Sequence, residues 1–346
     1  MSLETSVHRR SLPLEYPFTI ARGTVTETDV VTVHVEDGEG RIGIGAASPA
    51  SHYGETAATV EAVLPDLLSI VEDVDDPSQH ARIERRMRET LRENPAARAA
   101  VSIALYDLEA KRLEVPLYRY WGLDPAESLE TSYTIGIDDL ETVREKTETA
   151  LDRGHGTLKV KLGTGRDDEI VRTIRSVAPD ARLFVDANEA WSPREAVSTI
   201  ERLAEYDLAL VEQPVPARNL EGLKFVSDRS PVPIAADESC VTLADIPQIA
   251  DRCDIANLKL MKCGGLREAW RMIHAARAHD LDVMCGCMTE SNASIAAACH
   301  LAPALDYADL DGSLLLSDDP YDGVPIVDGR IDLEALERPG SGAAPT

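Results

Sequence analysis

The sequence predicts an α/β protein in which a (β/α) barrel follows an N-terminal α+β unit. The first observation is a repeat: after about residue 130, short apolar strands alternate with helical patterns, and polar or ionisable residues near successive strand ends, from Lys161 to Asp309, recur every 22 to 26 residues. One strand plus one helix of a barrel takes about this length. The second observation is that strands and helices are grouped, not alternated, before this point, which is typical of an α+β unit.

The N-terminal unit begins with a hairpin pattern. Residues 30–35 alternate β-branched and polar side chains, residues 37–40 read Asp-Gly-Glu-Gly, and residues 42–45 return as a second short strand. An acidic turn with glycine between β-branched runs indicates a β-hairpin. Helical patterns follow at 55–70, 79–92 and 95–113, the last with Val101, Ala104, Leu105 and Leu108 at the i, i+3, i+4, i+7 spacing of a core-facing helix.

The second part of the chain contains the repeated strands. They are predicted at 158–162, 183–186, 208–212, 234–237, 255–260 and 281–285. Between them, Ser192-Pro193-Arg194-Glu195 has the N-cap serine, first-turn proline and acidic residue that begin a helix. A doubly wound open sheet would show the same alternation, but no glycine-rich dinucleotide turn follows the first strand here, which favours the barrel.

The composition excludes some classes of partner. The chain carries 61 acidic against 35 basic residues, a net charge of −26. Such a charge repels phosphate backbones and anionic lipid surfaces, so we expect no nucleic-acid and no membrane partner. There is no secretory leader pattern, no apolar run of about 18 residues and no Cys-x-x-Cys pair. These features predict a cytoplasmic protein, and most of the acid would form a solvated surface, as suits a salt-rich cytosol.

Three carboxylates define a candidate metal site. Asp186, Glu212 and Asp237 each stand at the C-terminal end of a successive predicted strand. The strand ends of a barrel converge on one mouth, where the three charges would repel one another unless a cation neutralises them. Oxygen ligands alone suit Mg²⁺. The alternative is that each acid caps the helix that follows its strand.

Lysine is rare in this chain and concentrated at the same mouth. Only seven of the 35 basic residues are lysines, and four of these lie at or just after strand ends: Lys159, Lys161, Lys259 and Lys262. Unlike arginine, lysine can act as a base when burial or positive charge lowers its pKa from about 10.4 to about 7. Lys161 and Lys259 are four strands apart, on opposite walls of an eight-stranded barrel. The alternative is that these lysines only form salt bridges with the carboxylates.

Together these motifs resemble the enolase superfamily, in its muconate-lactonizing-enzyme-like subgroup. The resemblance extends over nearly the whole chain, including the helix at 100–111 with the following Pro116-Leu117-Tyr118. Its motifs are Lys159-Val160-Lys161, Asp186-Ala187-Asn188, Val211-Glu212-Gln213-Pro214, Ala236-Asp237-Glu238-Ser239 and Asn257-Leu258-Lys259-Leu260-Met261-Lys262-Cys263-Gly264-Gly265.

The resemblance implies an architecture and a common chemistry. It implies an α+β capping domain over residues 1–120, completed by 316–346, and a modified (β/α)₇β barrel of the TIM type over 121–315. It makes Asp186, Glu212 and Asp237 the Mg²⁺ ligands, Lys161 and Lys259 the acid/base pair, Lys159 a fixed positive group for the substrate carboxylate, and Asn188 a residue that supports a ligand from behind. The shared first step is removal of a proton alpha to a carboxylate. Assembly into a homo-oligomer is also common in the family.

One further motif indicates the substrate. Asp309-Leu310-Asp311-Gly312 follows the eighth predicted strand, and alternation would place both carboxylates on one side. This resembles the Asp-x-Asp motif by which dipeptide epimerases hold the substrate's free α-ammonium group. The resemblance then implies epimerisation of the C-terminal residue of a dipeptide by 1,1-proton transfer. An o-succinylbenzoate synthase-like lyase or a muconate-type cycloisomerase has no ammonium to hold, and is the alternative. A non-catalytic barrel is disfavoured by the intact lysines and carboxylates.

Weaker signals concern the rest of the pocket. Thr134, at the end of the first barrel strand, resembles the family's substrate-side threonine. Arg22 lies in a segment that folds over the mouth in the family, and would pair with an acidic substrate side chain, as in Ala-Glu epimerases. The sequence leaves open which dipeptide is preferred, and whether Glu290 and Cys287 line the pocket.

Overall fold

A three-stranded antiparallel sheet begins the fold. The computed structural model describes residues 3–346, and its first strands are β1 (Glu4–Ile20), β2 (Gly23–Glu36) and β3 (Ile42–Ala47), paired in that order. The predicted turn between β2 and β3 is confirmed, with the Asp37 carboxylate accepting the N–H groups of Glu39 and Arg41.

Four helices pack after this sheet. They are α1 (Ala57–Val74), α2 (His80–Thr90), α3 (Pro95–Arg112) and α4 (Leu117–Tyr120). Most of α3 is buried, because one side packs on β3 and another on the barrel. Gly43 and Gly45 allow the close approach of β3, since a Cβ atom at either position would lie 2.1 Å from a carbonyl oxygen of α3. The predicted apolar stripe of this helix is therefore part of the core between the two units.

Eight parallel strands form the barrel in sequence order. They are β4 (Tyr133–Ile135), β5 (Thr157–Lys161), β6 (Arg182–Asp186), β7 (Leu208–Glu212), β8 (Ile234–Ala236), β9 (Ile255–Leu258), β10 (Asp282–Gly286) and β11 (Tyr307–Asp309). A parallel bridge between Thr131 and Ala308 brings the two edges together. The predicted barrel is thus confirmed, and the open sheet is excluded.

Helices follow the first seven of these strands. They are α5 (Leu140–Asp152), α6 (Asp167–Val177), α7 (Pro193–Leu203), α8 (Leu220–Ser227), α9 (Ile246–Ile249), α10 (Leu260–Cys263) with α11 (Leu266–Ala278), and α12 (Asn292–Cys299). Within residues 3–346 no helix follows β11, which gives the (β/α)₇β form. The Ser192 cap is confirmed, because its hydroxyl and the Glu195 carboxylate each accept the other's N–H.

An apolar layer fills the barrel interior below the mouth. Its buried members are Phe184, Leu210, Ala235, Ile255 and Met284. The first three precede the candidate ligands Asp186, Glu212 and Asp237 by two residues, so each pair points inward from the same strand face. This apolar layer lies directly below the ionisable side chains and separates them from the opposite end of the barrel.

The C-terminal segment returns to the N-terminal unit. It contains the short strands β12 (Tyr321–Asp322), β13 (Ile326–Val327), β14 (Arg330–Ile331) and β15 (Ala344–Pro345). Tyr321 hydrogen-bonds to His34, and Ser341 donates to the buried carboxylate of Asp107. These contacts fit a segment that completes the capping domain, while the boundaries at 120 and 315 stay a prediction. Among the helices within residues 3–346, none is long and apolar enough to cross a membrane.

His300 joins three parts of the fold. It follows α12 and is fully buried. Its Nδ1 accepts the N–H of Tyr118, at 3.1 Å, so its Nε2 carries the proton and donates to the carbonyl of Ser341, at 3.0 Å. Burial lowers the pKa of His300 to about 4. The neutral ring thus links the capping helices, the barrel and the C-terminal segment.

We expect His300→Ala to destabilise the protein by about 2–4 kcal/mol at pH 7.5, because two buried backbone groups lose their partners. The unfolded chain takes up a proton on His300 at a pKa of about 6.5, whereas the native ring stays neutral down to about pH 4. Acidification through this window therefore destabilises the wild type but not the variant. The difference in unfolding free energy should shrink by about 2 kcal/mol between pH 7.5 and 5.

Urea denaturation at both pH values measures this difference. His279→Ala, at an exposed position, is the matched control and should change stability little at either pH. A cost of His300→Ala that does not vary with pH would contradict the assignment.

Candidate active site

The three predicted carboxylates lie at one end of the barrel. Asp186 ends β6, Glu212 ends β7 beside it in register, and Asp237 directly follows β8. All three are at most 1% exposed. The structure therefore brings together, in the interior, three carboxylates that the sequence separates by 25 and 26 residues.

Two predicted lysines face this cluster from opposite walls. Lys161 ends β5 and donates to Asp186 Oδ2 at 2.6 Å, and Lys259 follows β9 and donates to Asp237 Oδ2 at 2.8 Å. Because β5 and β9 are four positions apart in the eight-stranded barrel, the ammonium groups approach from opposite sides. Both side chains line the cavity at the mouth.

Lys159 lies at the centre of the cluster and is 1% exposed. Its Nζ is 2.7 Å from Asp309, 2.8 Å from Glu212 and 3.2 Å from Asp186. Burial opposes the charge of this ammonium group, but the carboxylates outweigh it and raise the pKa of Lys159 well above its ordinary value. Lys159 is therefore a permanent positive charge between the two groups of acids.

The carboxylates titrate differently because their partners differ. Burial opposes the charge of Asp186 and of Asp237, but their lysine partners prevail and lower the pKa of each. For Glu212, burial and the neighbouring Asp186 prevail over Lys159 and raise the pKa to about 8. Among the three candidate metal ligands, Glu212 is thus the one whose charge the lysines compensate least.

Unpartnered oxygen atoms surround the cluster. Glu212 Oε2, Glu238 Oε2, Asn188 Oδ1 and Asn257 Oδ1 are buried and accept no hydrogen bond, although Glu212 Oε2 lies near Lys159. Buried acceptors are normally satisfied, so these oxygen atoms fit the binding of a cation or of a proton donor. An all-oxygen donor set suits a hard divalent cation such as Mg²⁺. Asp186, Glu212 and Asp237 fit as its ligands.

The lysines occupy the approach to these ligands. Asp237 lines the cavity, whereas Asp186 and Glu212 lie behind Lys159 and Lys161. The ligand atoms of the three carboxylates are accordingly not gathered within 4.8 Å of one another. A cation that binds all three would displace the lysine ammonium groups from them.

A second cluster lies where the capping domain meets the barrel. Among the described residues, His52, Glu189 and Glu238 bring ligand atoms within 4.8 Å of one another. Arg22 Nη1 already lies 2.8 Å from Glu238 and 3.4 Å from Glu189, and supplies the positive charge there. His52, from the turn at 51–53, pairs with Glu189 at 3.2 Å. Arg22 thus reaches the mouth as expected, but carboxylates of the barrel hold it.

Asp309 and Asp311 lie together at the same mouth. Asp309 accepts from Ser132 and Lys159, each at 2.7 Å, while Asp311 accepts the N–H of Thr134 at 2.6 Å. Burial and the charge of Asp309 raise the pKa of Asp311 to about 7. Both carboxylates line the cavity. Asp311 is the acid that lacks a cationic partner, so it is the position best suited to an incoming ammonium group.

The remaining predicted residues lie around this centre. Asn188 donates to both Asp186 and Glu238, so it connects the ends of β6 and β8 across β7. Thr134 and Cys287 line the cavity, which has a volume of about 720 Å³. Glu290 lies behind it and binds the N–H of Met288 and the hydroxyl of Ser294. The question left open by the sequence is thus answered for Cys287 and Glu290.

Several residues that hold the acids received no individual role from the sequence. Ser132 binds Asp309, Asn257 donates to Glu212 at 2.9 Å, and the fully buried Lys262 binds both the carboxylate and the carbonyl of Asp237. All three stand within the quoted motifs or two residues from Thr134. No pattern in one sequence says which neighbouring acid each would contact.

Comparison with known families agrees with this architecture. The chain matches the mandelate racemase / muconate lactonizing enzyme N-terminal domain over residues 2–122 and the enolase C-terminal domain-like family over residues 142–346.

Individual relatives match over nearly the full chain. The chain is 42% identical to an L-Ala-D/L-Glu epimerase of Bacteroides thetaiotaomicron over 96% of its own length and 85% of that protein. It is similar, with a TM-score of 0.92, 35% identity and coverage of 99% and 100% of the two chains, to the dipeptide epimerase of Enterococcus faecalis in complex with Mg and L-Leu-L-Tyr. A substrate-liganded L-Ala-D/L-Glu epimerase from Bacillus subtilis gives a TM-score of 0.93, 31% identity and 99% coverage of both chains.

The site predicts unequal effects of neutralising two of its acids. In the absence of divalent cations at pH 7, Asp237→Asn should cost about 3–5 kcal/mol, because it leaves Lys259 and Lys262 without a charged partner. Glu212→Gln should cost much less, because the pKa of about 8 makes Glu212 largely protonated already. Thermal unfolding with a chelator and with Mg²⁺ measures both effects.

Mg²⁺ should raise the unfolding midpoint of the wild type and that of the control Glu205→Gln, an exposed position, by the same amount. It should raise the unfolding midpoints of Asp237→Asn and Glu212→Gln by less. Equal Mg²⁺ stabilisation of all four proteins would exclude the carboxylates as ligands.

Proposed function

Because the chain belongs to the mandelate racemase / muconate lactonizing enzyme family of the enolase superfamily, we propose that it is a Mg²⁺-dependent dipeptide epimerase. It inverts the configuration at Cα of the C-terminal residue of a dipeptide by 1,1-proton transfer. The observation that carries this proposal is the placement of Lys161 and Lys259 on opposite walls of one cavity. Two bases on opposite sides of one carbon are what inversion requires.

Asp186, Glu212 and Asp237 hold the metal ion in this proposal. A bound Mg²⁺ ion would supply positive charge that stabilises the negative charge formed when Cα loses its proton. Asp186 and Asp237, which pair with Lys161 and Lys259 in the structure, would then be shared with the cation. Burial opposes the charge of the Lys259 ammonium group, but Asp237 prevails and raises the pKa of this lysine. With the Asp237 carboxylate engaged by a bound cation, burial would favour the neutral amine that a base needs.

The proton balance of the reaction is closed by the two lysines. The unprotonated amine of one lysine takes the Cα proton, and the C–H electron pair passes into the substrate carboxylate. The ammonium group of the other lysine then donates a proton to the opposite face of Cα. The product has the inverted configuration, and the two lysines have exchanged protonation states, so the reverse reaction uses them in the opposite order.

Asp309 and Asp311 hold the other end of the substrate. An α-ammonium group offers three donors, and two adjacent carboxylates supply both acceptors and charge. Lys159 keeps Asp309 in place and adds fixed positive charge near the substrate carboxylate. Thr134 contributes its N–H to Asp311 and its side chain to the cavity wall.

The choice of dipeptide depends on the part of the cavity wall that Arg22 forms. The L-Ala-D/L-Glu epimerases among the relatives act on an acidic C-terminal residue, and Arg22 is the cation that would meet such a side chain. In this chain Arg22 Nη1 is held by Glu238 and Glu189, while 31% of the side chain remains exposed. We therefore propose Arg22 as a substrate contact through its remaining N–H groups.

A lyase or cycloisomerase would not need Asp311.

Replacement of either catalytic lysine tests the two-base arrangement. We expect Lys161→Ala and Lys259→Ala each to lower epimerisation about 10²- to 10⁴-fold, because one of two required proton transfers is lost. Each variant should still exchange the Cα proton of only one epimer for deuterium. NMR or mass measurement of a dipeptide library in D₂O with Mg²⁺ records both results.

Lys224→Ala, on the outer helix α8, is the control and should behave as the wild type. Retention of epimerisation by either site variant would refute the two-base proposal, and net loss of water or ring closure would support the alternative reactions.

The ammonium contact has a separate test. Asp311→Asn keeps an oxygen for the N–H of Thr134 but loses the charge. We expect KM for free dipeptides to rise about 10- to 100-fold, since hydrogen bonds to charged groups contribute about 1.5–3 kcal/mol. Steady-state kinetics measures this change, with the exposed Asp318→Asn as the control. An unchanged KM would rule out the contact between Asp311 and the α-ammonium group. Turnover of N-acetylated dipeptides by the wild type at the same rate as free dipeptides would also rule it out.

A further inference from the structure

Gln213 uses every hydrogen-bonding position of its side-chain amide. It directly follows Glu212 and is fully buried. Its Oε1 accepts the N–H groups of Asp237, at 2.9 Å, and of Ser239, at 3.1 Å. Its Nε2 donates to the carbonyl of Val215, at 2.8 Å, and to the hydroxyl of Ser239, at 2.9 Å. An amide can make two bonds of each kind, so this one is completely satisfied.

The backbone of Gln213 adds connections on both sides. Its N–H donates to Ala235 in β8, and its carbonyl accepts the N–H of Glu189, three residues beyond the end of β6. One residue therefore connects three successive strand ends. These are the ends that carry Asp186, Glu212 and Asp237.

The conformation of Gln213 is unfavourable for its residue type. Its φ of 33° lies in the left-handed region, which glycine adopts more readily. Asn188 and Glu189, just beyond the end of β6, share this feature, with φ of 43° and 69°. A glycine would relieve the conformation but would lack the amide. The presence of glutamine at this position thus indicates that the hydrogen bonds of its side-chain amide are needed there.

The geometry points to Gln213 as a positioning residue that sets the separation of Glu212 and Asp237 for a divalent cation. This inference rests on the Mg²⁺ site of the proposed function. Gln213 is not among the described residues that line the cavity, so it touches neither substrate nor the reacting atoms. It acts by holding the backbone of Asp237 against the turn that follows Glu212.

Two substitutions separate the side chain from the backbone conformation. Gln213→Met keeps the side-chain length and removes all four hydrogen bonds, while Gln213→Gly relieves the φ angle and also removes the amide. We expect both to weaken Mg²⁺ binding about 10- to 100-fold, as loss of groups that orient metal ligands typically does. Calorimetric titration of Mg²⁺, and the Mg²⁺ concentration needed to raise the unfolding midpoint, measure this without any substrate. The exposed Gln248→Met is the matched control.

The kinetic consequence is also specific. Excess Mg²⁺ should restore most of kcat in both variants, with KM for the dipeptide close to that of the wild type. Wild-type Mg²⁺ affinity in a folded Gln213→Met or Gln213→Gly protein would overturn the inference. Failure of both variants to fold at any Mg²⁺ concentration would also overturn it, because the role would then be core stability. If the wild type binds Mg²⁺ but exchanges no dipeptide proton, the proposed function fails. The Mg²⁺ titrations still show in that case whether Gln213 affects Mg²⁺ binding.

Discussion

The structure depends on balancing charge inside the barrel. Asp186, Asp237 and Asp309 are buried within a few ångströms of the ammonium groups that neutralise them, and Lys159 also contacts Glu212. A single unpaired buried charge would cost several kcal/mol. Removing any one member therefore disturbs the others, and a divalent cation entering the cluster must change the partners of the lysines. The same exchange of partners is what would convert paired lysines into an acid and a base.

The barrel places the apolar side chains of its core and the ionisable side chains of the cluster at different levels along its strands. Inward positions two residues before the ligands carry apolar side chains, and the strand ends carry the ionisable groups. Around them, neutral amide side chains and the buried Lys262 occupy the spaces between strand ends. Asn188, Gln213 and Asn257 add hydrogen bonds without adding charge. Any further charge in this buried cluster would need a partner of its own.

The capping domain contributes a boundary to the same cavity. Arg22 and His52 come from two different segments of that domain and meet Glu189 and Glu238 of the barrel. Both side chains line the cavity, and 31% of the Arg22 side chain remains exposed. The C-terminal segment, attached through His300, Tyr321 and Ser341, holds the capping domain on the barrel.

The sequence by itself determined the class of fold and the main ionisable groups. A repeat near 25 residues places Lys161, Asp186, Glu212, Asp237, Lys259 and Asp309 at strand ends, and parallel strands of a barrel must bring those ends together. Only the tertiary structure decided which groups pair: that Lys159 joins Asp309 to Glu212, that Arg22 is held by Glu238, and that Gln213 connects three strand ends. Such pairings depend on side-chain direction and on distances of less than about 3.5 Å between residues far apart in the chain. A strand-and-helix period does not encode either quantity.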